Sequence, residues 1–199
     1  IYQTMGDCIM PREVVCAEVR KPGRIRVCDE ILLLPEDPDR PLTAAVITLS
    51  DKGAAGQRED KSGPVIVEEL QKAGYKVIET LLLPDDMEKI KAQLIRLSDQ
   101  RQVNLILTTG GTGFSERDCT PEATLSVATR NPPAIAEALR QGSKHITRRA
   151  MLYPQASVIR HKTLIVNLPG SPKAVKECLD LVLDQLDHGI RILTGRDKE

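Results

Sequence analysis

One stretch decides the fold of this chain: residues 103–113, with the sequence VNLILTTGGTG. Its first part is almost entirely aliphatic, as in a strand that other elements cover on both faces. Glycines and threonines then break the apolar pattern at once. We therefore expect a buried strand that ends in a glycine-rich loop.

Strands and helices alternate on both sides of this stretch. Strands are predicted over 44–49, 76–83, 103–107, 157–159 and 163–166, and helices over 62–72, from Asp85 or Asp86, 121–129, 133–146 and 172–193. Ser62 and Thr120 are predicted N-caps, Pro121 occupies the first helical position, and Gly74 ends the first long helix. The alternation predicts an α/β fold: a three-layer αβα sandwich around a mostly parallel sheet.

The first 33 residues follow a different pattern. Short strand-like runs, Val14–Arg20 and Arg24–Val27, flank a Lys-Pro-Gly turn. A stretch rich in proline and charge follows, as in a linker. We expect a β-rich segment over 1–33, a linker over 34–42 and the α/β domain over 43–199.

Composition excludes several classes of function. Lysine plus arginine and aspartate plus glutamate both number 28, so no net positive charge favours nucleic acid. Aromatic residues make up only 2%, which leaves little for stacking on bases. No apolar run approaches the ~20 residues of a membrane span, and no signal peptide is recognisable. Five cysteines without a CxxC pair are read as reduced thiols, so we expect a cytoplasmic protein.

Polar and glycine-rich segments follow four of the predicted strands: Ser50-Asp51-Lys52, Pro84-Asp85-Asp86, the loop 108–113 and residues 167–171. Ligands of open parallel sheets bind beyond the carboxyl ends of the strands. A glycine-rich loop can present its N–H groups to an anion, although a simple tight turn is the alternative. The sequence therefore predicts a phosphate-handling site at this edge.

The acidic residues near the loop suggest a cation. Asp118 beside bound phosphate would be repulsive unless a cation such as Mg²⁺ intervened, although helix capping or a pair with Arg117 is the alternative. One of Asp85 and Asp86 is the predicted N-cap of the helix that follows them. A cap needs only one aspartate, so the other is a candidate for a different role. Lys52 and Lys61 are candidate phosphate contacts. No nucleophilic triad is recognisable, which suits transfer between phosphates, since a phosphate monoester is already anionic.

Six motifs carry a resemblance to a known family: TLSDK at 48–52, DKSGP at 60–64, PDD at 84–86, TTGGTG at 108–113, RDCTPEAT at 117–124 and NLPGSP at 167–172. Together they resemble the molybdopterin adenylyltransferase family, the MogA-like domain of molybdenum cofactor synthesis. The resemblance implies transfer of AMP from MgATP to the terminal phosphate of molybdopterin with release of pyrophosphate. It also implies a homotrimer and hand-over of product to the molybdate-inserting enzyme.

The resemblance implies roles for individual residues. Asp85 and Asp118 are the expected catalytic residues and the hypothetical Mg²⁺ ligands. The expected nucleotide and molybdopterin phosphate contacts are Ser50, Asp51, Lys52, Lys61, Ser62, Gly63, Thr109, Gly110, Gly111, Thr112, Gly113, Thr120, Pro121, Glu122, Glu137, Asn167, Pro169, Gly170 and Ser171. For Glu137, a surface helical position is the alternative.

The sequence departs from the family at one place and extends it at another. Leu152-Tyr153-Pro154 stands where the family often has Leu-Ser-Arg on the pterin side of the site. This departure motivates an alternative function, a non-catalytic molybdopterin-binding or carrier module; a molybdotransferase-related protein is a further alternative. Residues 6–13 and 23–31 resemble the carboxyl end of a MOSC domain, and we predict that this piece has no activity of its own.

Overall fold

The computed structural model describes residues 22–24, 26–30 and 39–196. The chain divides into two units, residues 1–36 and 37–199. In the first unit, the sequence predicts a strand over Arg24–Val27. This prediction is wrong, because the described residues Arg24, Arg26 and Val27 belong to no strand. Instead, Arg26 and Asp29 close a turn, in which the Asp29 amide donates to the Arg26 carbonyl. The predicted strand Val14–Arg20 and most of the MOSC-like segment lie outside the described residues.

The second unit alternates strands and helices as expected. In chain order its elements are β1 (Thr43–Leu49), α1 (Asp51–Ala54), α2 (Ser62–Lys72), β2 (Lys76–Leu83), α3 (Met87–Ile95) with a following π-helical turn (Arg96–Gln100), β3 (Leu105–Thr109), α4 (Thr120–Ser126), α5 (Ala134–Lys144), a 3-10 turn (Arg148–Leu152), β4 (Ser157–Arg160), β5 (Thr163–Leu168) and α6 (Pro172–Thr194). None of the described helices combines the length and apolarity needed to cross a membrane.

The five strands form one sheet in the order β2-β1-β3-β5-β4. The pairs β1–β2, β1–β3 and β3–β5 are parallel, and β4 is an antiparallel edge strand on β5. The predicted mostly parallel sheet is therefore confirmed. In this order, the carboxyl ends of β2, β1, β3 and β5 lie side by side, which is where the sequence predicted a site.

Both faces of the sheet are buried, which makes the fold three-layered. Alternate residues of β1 point to opposite faces: Ala44 and Val46 belong to one apolar cluster, and Ala45 and Ile47 to the other. The first cluster includes residues of α2, α5 and α6, and the second those of α3 and α4. This double covering explains why the central strands are apolar without alternation in sequence.

Two strands end later than predicted. β3 runs to Thr109 and β5 to Leu168, and these two residues pair with each other. Thr108, Thr109 and Asn167 are therefore strand residues, not loop residues. The ladder continues until Gly110, whose φ of 93° ends the extended conformation.

The linker predicted over residues 34–42 does not extend as far as Leu42. This side chain is only 3% exposed, and its carbonyl accepts a hydrogen bond from the Lys76 amide. Leu42 is thus part of the folded unit, in the first cluster.

Replacing Tyr75 with phenylalanine is expected to raise the free energy of unfolding at pH 7 by about 1 kcal/mol, because the buried hydroxyl has no partner among the described residues. Burial raises the pKa of Tyr75 above its ordinary range, with a contribution from the charge of Asp187. Above about pH 10 the unfolded chain releases this proton while the folded protein keeps it, so stability falls as pH rises. In urea titrations, the variant should lose less of its free energy of unfolding at alkaline pH than the unmodified protein does. Destabilisation of the variant by more than about 1 kcal/mol at pH 7 would show that the hydroxyl has a partner.

Candidate functional site

The carboxyl ends of the parallel strands are joined by direct contacts. The Ser50 amide, just after β1, donates to the Leu83 carbonyl at the end of β2 over 2.8 Å. The Thr109 hydroxyl, at the end of β3, donates to the Pro169 carbonyl beyond β5 over 2.6 Å. The four polar strand ends predicted from sequence therefore meet at one edge.

The glycine-rich loop requires glycine at its first two positions. Gly110 and Gly111 have φ of 93° and 60°, in the left-handed region. A Cβ on Gly110 would lie 2.2 Å from the Leu49 carbonyl oxygen, and one on Gly111 would lie 2.3 Å from the Thr120 hydroxyl. The loop backbone therefore packs directly against β1 and α4, and only glycine fits there.

Three backbone N–H groups of the glycine-rich loop are available to bind a ligand. Within the part of the chain that the structure describes, the N–H groups of Gly111, Thr112 and Gly113 have no hydrogen-bond acceptor. The loop carbonyls, in contrast, are held: the Thr120 hydroxyl donates to Gly110 and the Thr120 amide to Gly111. Successive free N–H groups in a turn form a concavity that suits an anion.

Thr120 does not act as an N-cap. The N-cap position of α4 is Cys119, and no side chain caps the helix there. The Thr120 hydroxyl instead donates to Gly110 over 3.0 Å, which fixes α4 to the loop. The predicted cap is wrong because this loop carbonyl, ten residues back, lies within reach of the hydroxyl.

Asp85 and Asp86 have separate roles. Asp86 is the N-cap of α3 and accepts hydrogen bonds from the Glu88 and Lys89 amides. Asp85 is therefore not needed for capping. Its Oδ2 accepts from the Asp51 amide over 3.1 Å, and its own amide donates to the Asp51 carboxylate over 3.0 Å.

The second oxygen of Asp85, Oδ1, is buried without a hydrogen-bond partner among the described residues. It faces the loop: a Cβ on Gly111 would lie 2.7 Å from it. Burial raises the pKa of the Asp85 carboxyl, and the nearby charges of Asp51 and Asp118 raise it further, against the lowering effects of the Asp51 amide and the Arg117 charge. A buried, unpaired carboxylate oxygen is an unusual feature that suits binding of a cation.

Asp118 lies beside the far end of the glycine-rich loop. Its Oδ2 accepts a hydrogen bond from the Ser115 amide over 2.9 Å, and a Cβ on Gly113 would lie 2.6 Å from the same atom. The alternative pairing of Asp118 with Arg117 is not observed. Arg117 binds Asp51 instead, through two hydrogen bonds of 3.0 and 3.1 Å.

A cleft of about 520 Å³ opens at this edge. It is lined by Thr48, Leu49, Ser50, Gly53, Arg58, Glu59, Asp60, Lys61, Ser62, Leu82, Thr109, Gly110, Gly170 and Pro172. Its volume is within the ordinary range for small-molecule sites. Asp85 and Asp118 are not among its lining residues; they contact the glycine-rich loop, which the cleft meets at Gly110.

The segment before α2 is organised by Asp60, not by Ser62. The Asp60 carboxylate accepts hydrogen bonds from the amides of Ser62 and Gly63 and from the Thr48 hydroxyl. The predicted N-cap Ser62 is therefore wrong. Its hydroxyl donates to the Gly170 carbonyl over 2.9 Å, which joins α2 to the loop after β5.

Replacing Asp60 with alanine is expected to lower the free energy of unfolding by about 2–3 kcal/mol, because three donors lose their acceptor in a partly buried place. Asp86→Ala is the matched control, since it removes two amide bonds at an ordinary N-cap and should cost about 1 kcal/mol. Urea unfolding measures both. Equal costs for the two variants would contradict a role for Asp60 beyond capping.

Asn167 is buried in the core and does not line the cleft. Its side-chain amide donates to the Thr108 and Thr124 hydroxyls over 2.8 and 2.9 Å. These bonds tie β5, β3 and α4 together beneath the glycine-rich loop. The structure thus gives Asn167 a supporting position, whereas the resemblance implied a phosphate contact.

The other expected contacts differ in how far they are exposed to solvent. Lys52 in α1 and Glu122 in α4 are exposed. Glu137 is also exposed, and its carboxylate accepts a hydrogen bond from Gln141 within α5. Ser171 is the N-cap of α6, where its hydroxyl accepts from the Ala174 amide. Thr112 and Pro121 are buried at the edge itself.

Tyr153, the residue that departs from the family pattern, lines a separate small cavity of about 30 Å³. The same cavity is lined by Arg140, Gln155, Pro169 and Glu177, among others. Pro169 also belongs to the loop after β5, so this cavity adjoins the edge of the sheet where the site lies.

The sequence offered little indication of the positions of three residues at the candidate site. Asp60 stood in a quoted motif, but only the structure shows its three acceptor bonds. Arg58 lines the cleft, and its only sequence signal was a basic residue between β1 and α2. Arg117 was considered as a partner for its neighbour Asp118, whereas its partner Asp51 is 66 residues away.

Comparison with known proteins identifies the family. Residues 45–188 match the family model described as "Probable molybdopterin binding domain". A protein of Escherichia coli K12 named molybdopterin adenylyltransferase is 43% identical over 155 residues, which span 75% of this chain and 80% of that protein. A protein of Haemophilus influenzae with the same name is 42% identical over 146 residues, 72% of this chain and 74% of its own.

Solved structures agree with this result. The molybdopterin biosynthesis enzyme MoaB of Thermus thermophilus superposes with a TM-score of 0.74 at 40% identity, covering 77% of this chain and 97% of that one. The matched part of the chain contains the whole edge of strand ends described above. With matches in sequence and in fold over the same part, the chain belongs to the molybdopterin-binding domain family and is homologous to the molybdopterin adenylyltransferases.

Proposed function

We propose that this protein is a molybdopterin adenylyltransferase of molybdenum cofactor synthesis. The observation that carries the proposal is the meeting of the free loop N–H groups, Asp85 and Asp118 at one sheet edge, beside a cleft of about 520 Å³. The curated relatives named for this activity support it. The substrates are ATP and molybdopterin.

In the reaction, an oxygen of the terminal phosphate of molybdopterin attacks the α-phosphorus of ATP. A new P–O bond forms, the bond between the α-phosphorus and the bridging oxygen breaks, and pyrophosphate leaves with the electron pair. The attacking phosphate is already anionic, so no side chain needs to remove a proton from it. The chain's task is to position the two phosphates and offset their charge.

The free N–H groups of Gly111, Thr112 and Gly113 are the donors best placed to bind phosphate oxygens. They are fixed before substrate arrives, because Thr120 holds the loop carbonyls. Lys61 and Arg58 line the cleft and supply positive charge there. The loop donors therefore hold the reacting phosphates, and the cleft receives the rest of a substrate.

Asp85 and Asp118 are the residues that would hold Mg²⁺. Among the described residues no group of three or more acidic, histidine or cysteine side chains forms a complete metal site. Two carboxylates plus substrate phosphate oxygens are, however, a usual Mg²⁺ environment, and the unpartnered Asp85 Oδ1 fits it. When bound, the ion supplies neutralisation of the charge on the transferring phosphates.

The direct test is incubation of the protein with molybdopterin, ATP and Mg²⁺, followed by detection of adenylylated molybdopterin and pyrophosphate. Both products are expected in equal amounts. Binding of molybdopterin without either product would overturn the proposal in favour of the carrier module, which the Leu152-Tyr153-Pro154 departure motivates. Omission of ATP is the control for pyrophosphate from other sources.

Three further features form part of the proposal. The protein acts in the cytoplasm as a homotrimer and hands its product to the molybdate-inserting enzyme. The domain responsible is residues 42–199, joined by a linker over 34–41 to a MOSC-like segment, 1–33, without activity of its own. Light scattering on the purified protein tests the trimer, and a monomeric mass would overturn it.

A further inference from the structure

Asp51, the first residue of α1, and Asp85, which follows β2, form reciprocal hydrogen bonds although they are 34 residues apart in sequence. The Asp51 amide donates to Asp85 Oδ2, and the Asp85 amide donates to Asp51 Oδ1. Oδ2 of Asp85 is thereby occupied, which leaves Oδ1 toward Gly111 without a partner among the described residues. This contact decides which carboxylate oxygen Asp85 presents to the site.

Arg117 holds Asp51 from the loop between β3 and α4. Its Nε donates to Asp51 Oδ2 over 3.1 Å, and its Nη2 donates to Oδ1 over 3.0 Å, so both oxygens are engaged. This two-bond pairing fixes the plane of the carboxylate as well as its position, which a lysine could not do. The segments after β1, β2 and β3 are therefore connected through one carboxylate.

The Arg117–Asp51 ion pair is expected to contribute little to the free energy of unfolding. The side chains of Arg117 and Asp51 are 63% and 43% exposed. Exposed ion pairs contribute little to the free energy of unfolding. A well-formed pair in such a place is more readily explained by what it orients than by what it stabilises.

Arg117 also supplies positive charge next to two neighbouring carboxylates, each of which accepts a hydrogen bond from the other residue's amide. Asp51 and Asp85 repel each other, and Arg117 is the cation bound to one of them. Without it, the like charges would drive the two segments apart, and the backbone bonds between them would weaken. Asp85 Oδ1 would then lose its fixed direction.

We propose that Arg117 and Asp51 form a latch that positions the Asp85 carboxylate for adenylyl transfer, so that both are positioning residues and not phosphate contacts. This inference rests on the proposed function and adds a further structural requirement to the same site. It differs from the resemblance, which implied that Asp51 contacts phosphate. It also excludes a direct role for Arg117 in binding the triphosphate.

The experiment compares Arg117→Gln, Asp51→Asn and the double variant with the unmodified protein. Arg191→Gln is the matched control, because Arg191 also forms an arginine–aspartate pair, with Asp187 on α6, far along the chain from the latch. Each single latch variant is expected to lower kcat about 100-fold with a change of less than about threefold in KM for ATP. The double variant should fall within about threefold of the singles, because both changes open the same latch.

Three outcomes would overturn the latch. A rise in KM for ATP larger than the fall in kcat would make Arg117 a triphosphate ligand. Multiplicative losses in the double variant would make the two residues independent. Arg117→Lys with an unchanged kcat would show that charge alone suffices, whereas the latch requires the paired geometry.

A measurement without substrate separates the latch from the proposed function. Amide hydrogen exchange of the free protein should be about tenfold faster at Asp51 and Asp85 in Arg117→Gln, and unchanged in Arg191→Gln. Unchanged exchange at both amides would overturn the latch even in an active enzyme. Failure of the unmodified protein to form adenylylated molybdopterin would instead overturn the proposed function, while the exchange result would still decide the latch.

Discussion

Replacing Asp118 with alanine is expected to lower turnover by about 10²- to 10³-fold, because a group that stabilises the reacting phosphates by several kcal/mol is lost and each 1.36 kcal/mol is tenfold in rate. The carboxylate lies beside Gly113 and is one of the two expected Mg²⁺ ligands. Production of pyrophosphate from ATP and molybdopterin measures the effect. The thermal midpoint should change little, since Asp118 is only partly buried.

Two further variants separate charge from local structure. Asp118 also accepts a hydrogen bond from the Ser115 amide, so alanine removes a turn contact as well as a charge. Asp118→Asn retains an oxygen acceptor for that amide but not the negative charge, and it should lose nearly as much activity as alanine. Glu116→Ala removes an exposed charge from the same turn and should leave turnover unchanged. Full activity in Asp118→Asn would contradict the metal assignment.

Replacing Gly110 with alanine is expected to cost about 3 kcal/mol or more of the free energy of unfolding, from positive φ and a backbone overlap together. The added Cβ would lie 2.2 Å from the Leu49 carbonyl oxygen, so β1 or the loop must move. The displaced loop would no longer hold its free N–H groups in place. We therefore expect turnover to fall together with the urea midpoint.

Gly74→Ala is the matched control for this variant. Gly74 has a φ of 85°, close to the 93° of Gly110, but a Cβ there would meet nothing within 4 Å. The control should lose about 1–2 kcal/mol of the free energy of unfolding, the cost of a positive φ for a residue with a Cβ, and keep its activity. Equal urea midpoints for the two variants would show that the loop does not depend on close packing against Leu49.

The central strands were predictable because their burial produces a local pattern, a run of apolar residues, in the sequence. Residues 44–49 and 103–107 are apolar almost without interruption, as is typical of a strand covered on both faces, although β3 itself begins only at Leu105. The mostly parallel arrangement of the sheet followed from the alternation with helices. The ends of β3 and β5 were not predictable, because Thr109 and Leu168 extend the strands only by pairing with each other.

The meeting of the polar strand ends at one edge of the sheet was predictable, but their contacts were not. Asp85 could be singled out because two adjacent aspartates exceed what a helix cap needs. Asp118 could be singled out because a carboxylate beside bound phosphate calls for a cation. The family resemblance pointed to the same two residues. The partners of Ser62, Thr120 and Arg117 were all assigned wrongly or not at all. Ser62 binds Gly170, 108 residues away, and such a partner depends on which strands become neighbours.

By itself, the sequence determined the fold class, the sheet edge at which the polar strand ends meet and the family to which the chain belongs. These depend on local patterns: aliphatic runs, glycines where the chain must turn, and motifs in a fixed order. Only the tertiary structure decided which groups at that edge are free and which are held. Among the described residues, the loop N–H groups and Asp85 Oδ1 are without partners, whereas Thr120 holds the loop carbonyls and the Asp51 amide holds Asp85 Oδ2. These contacts join residues far apart in sequence, and they form because β1, β2 and β3 become neighbours in one sheet.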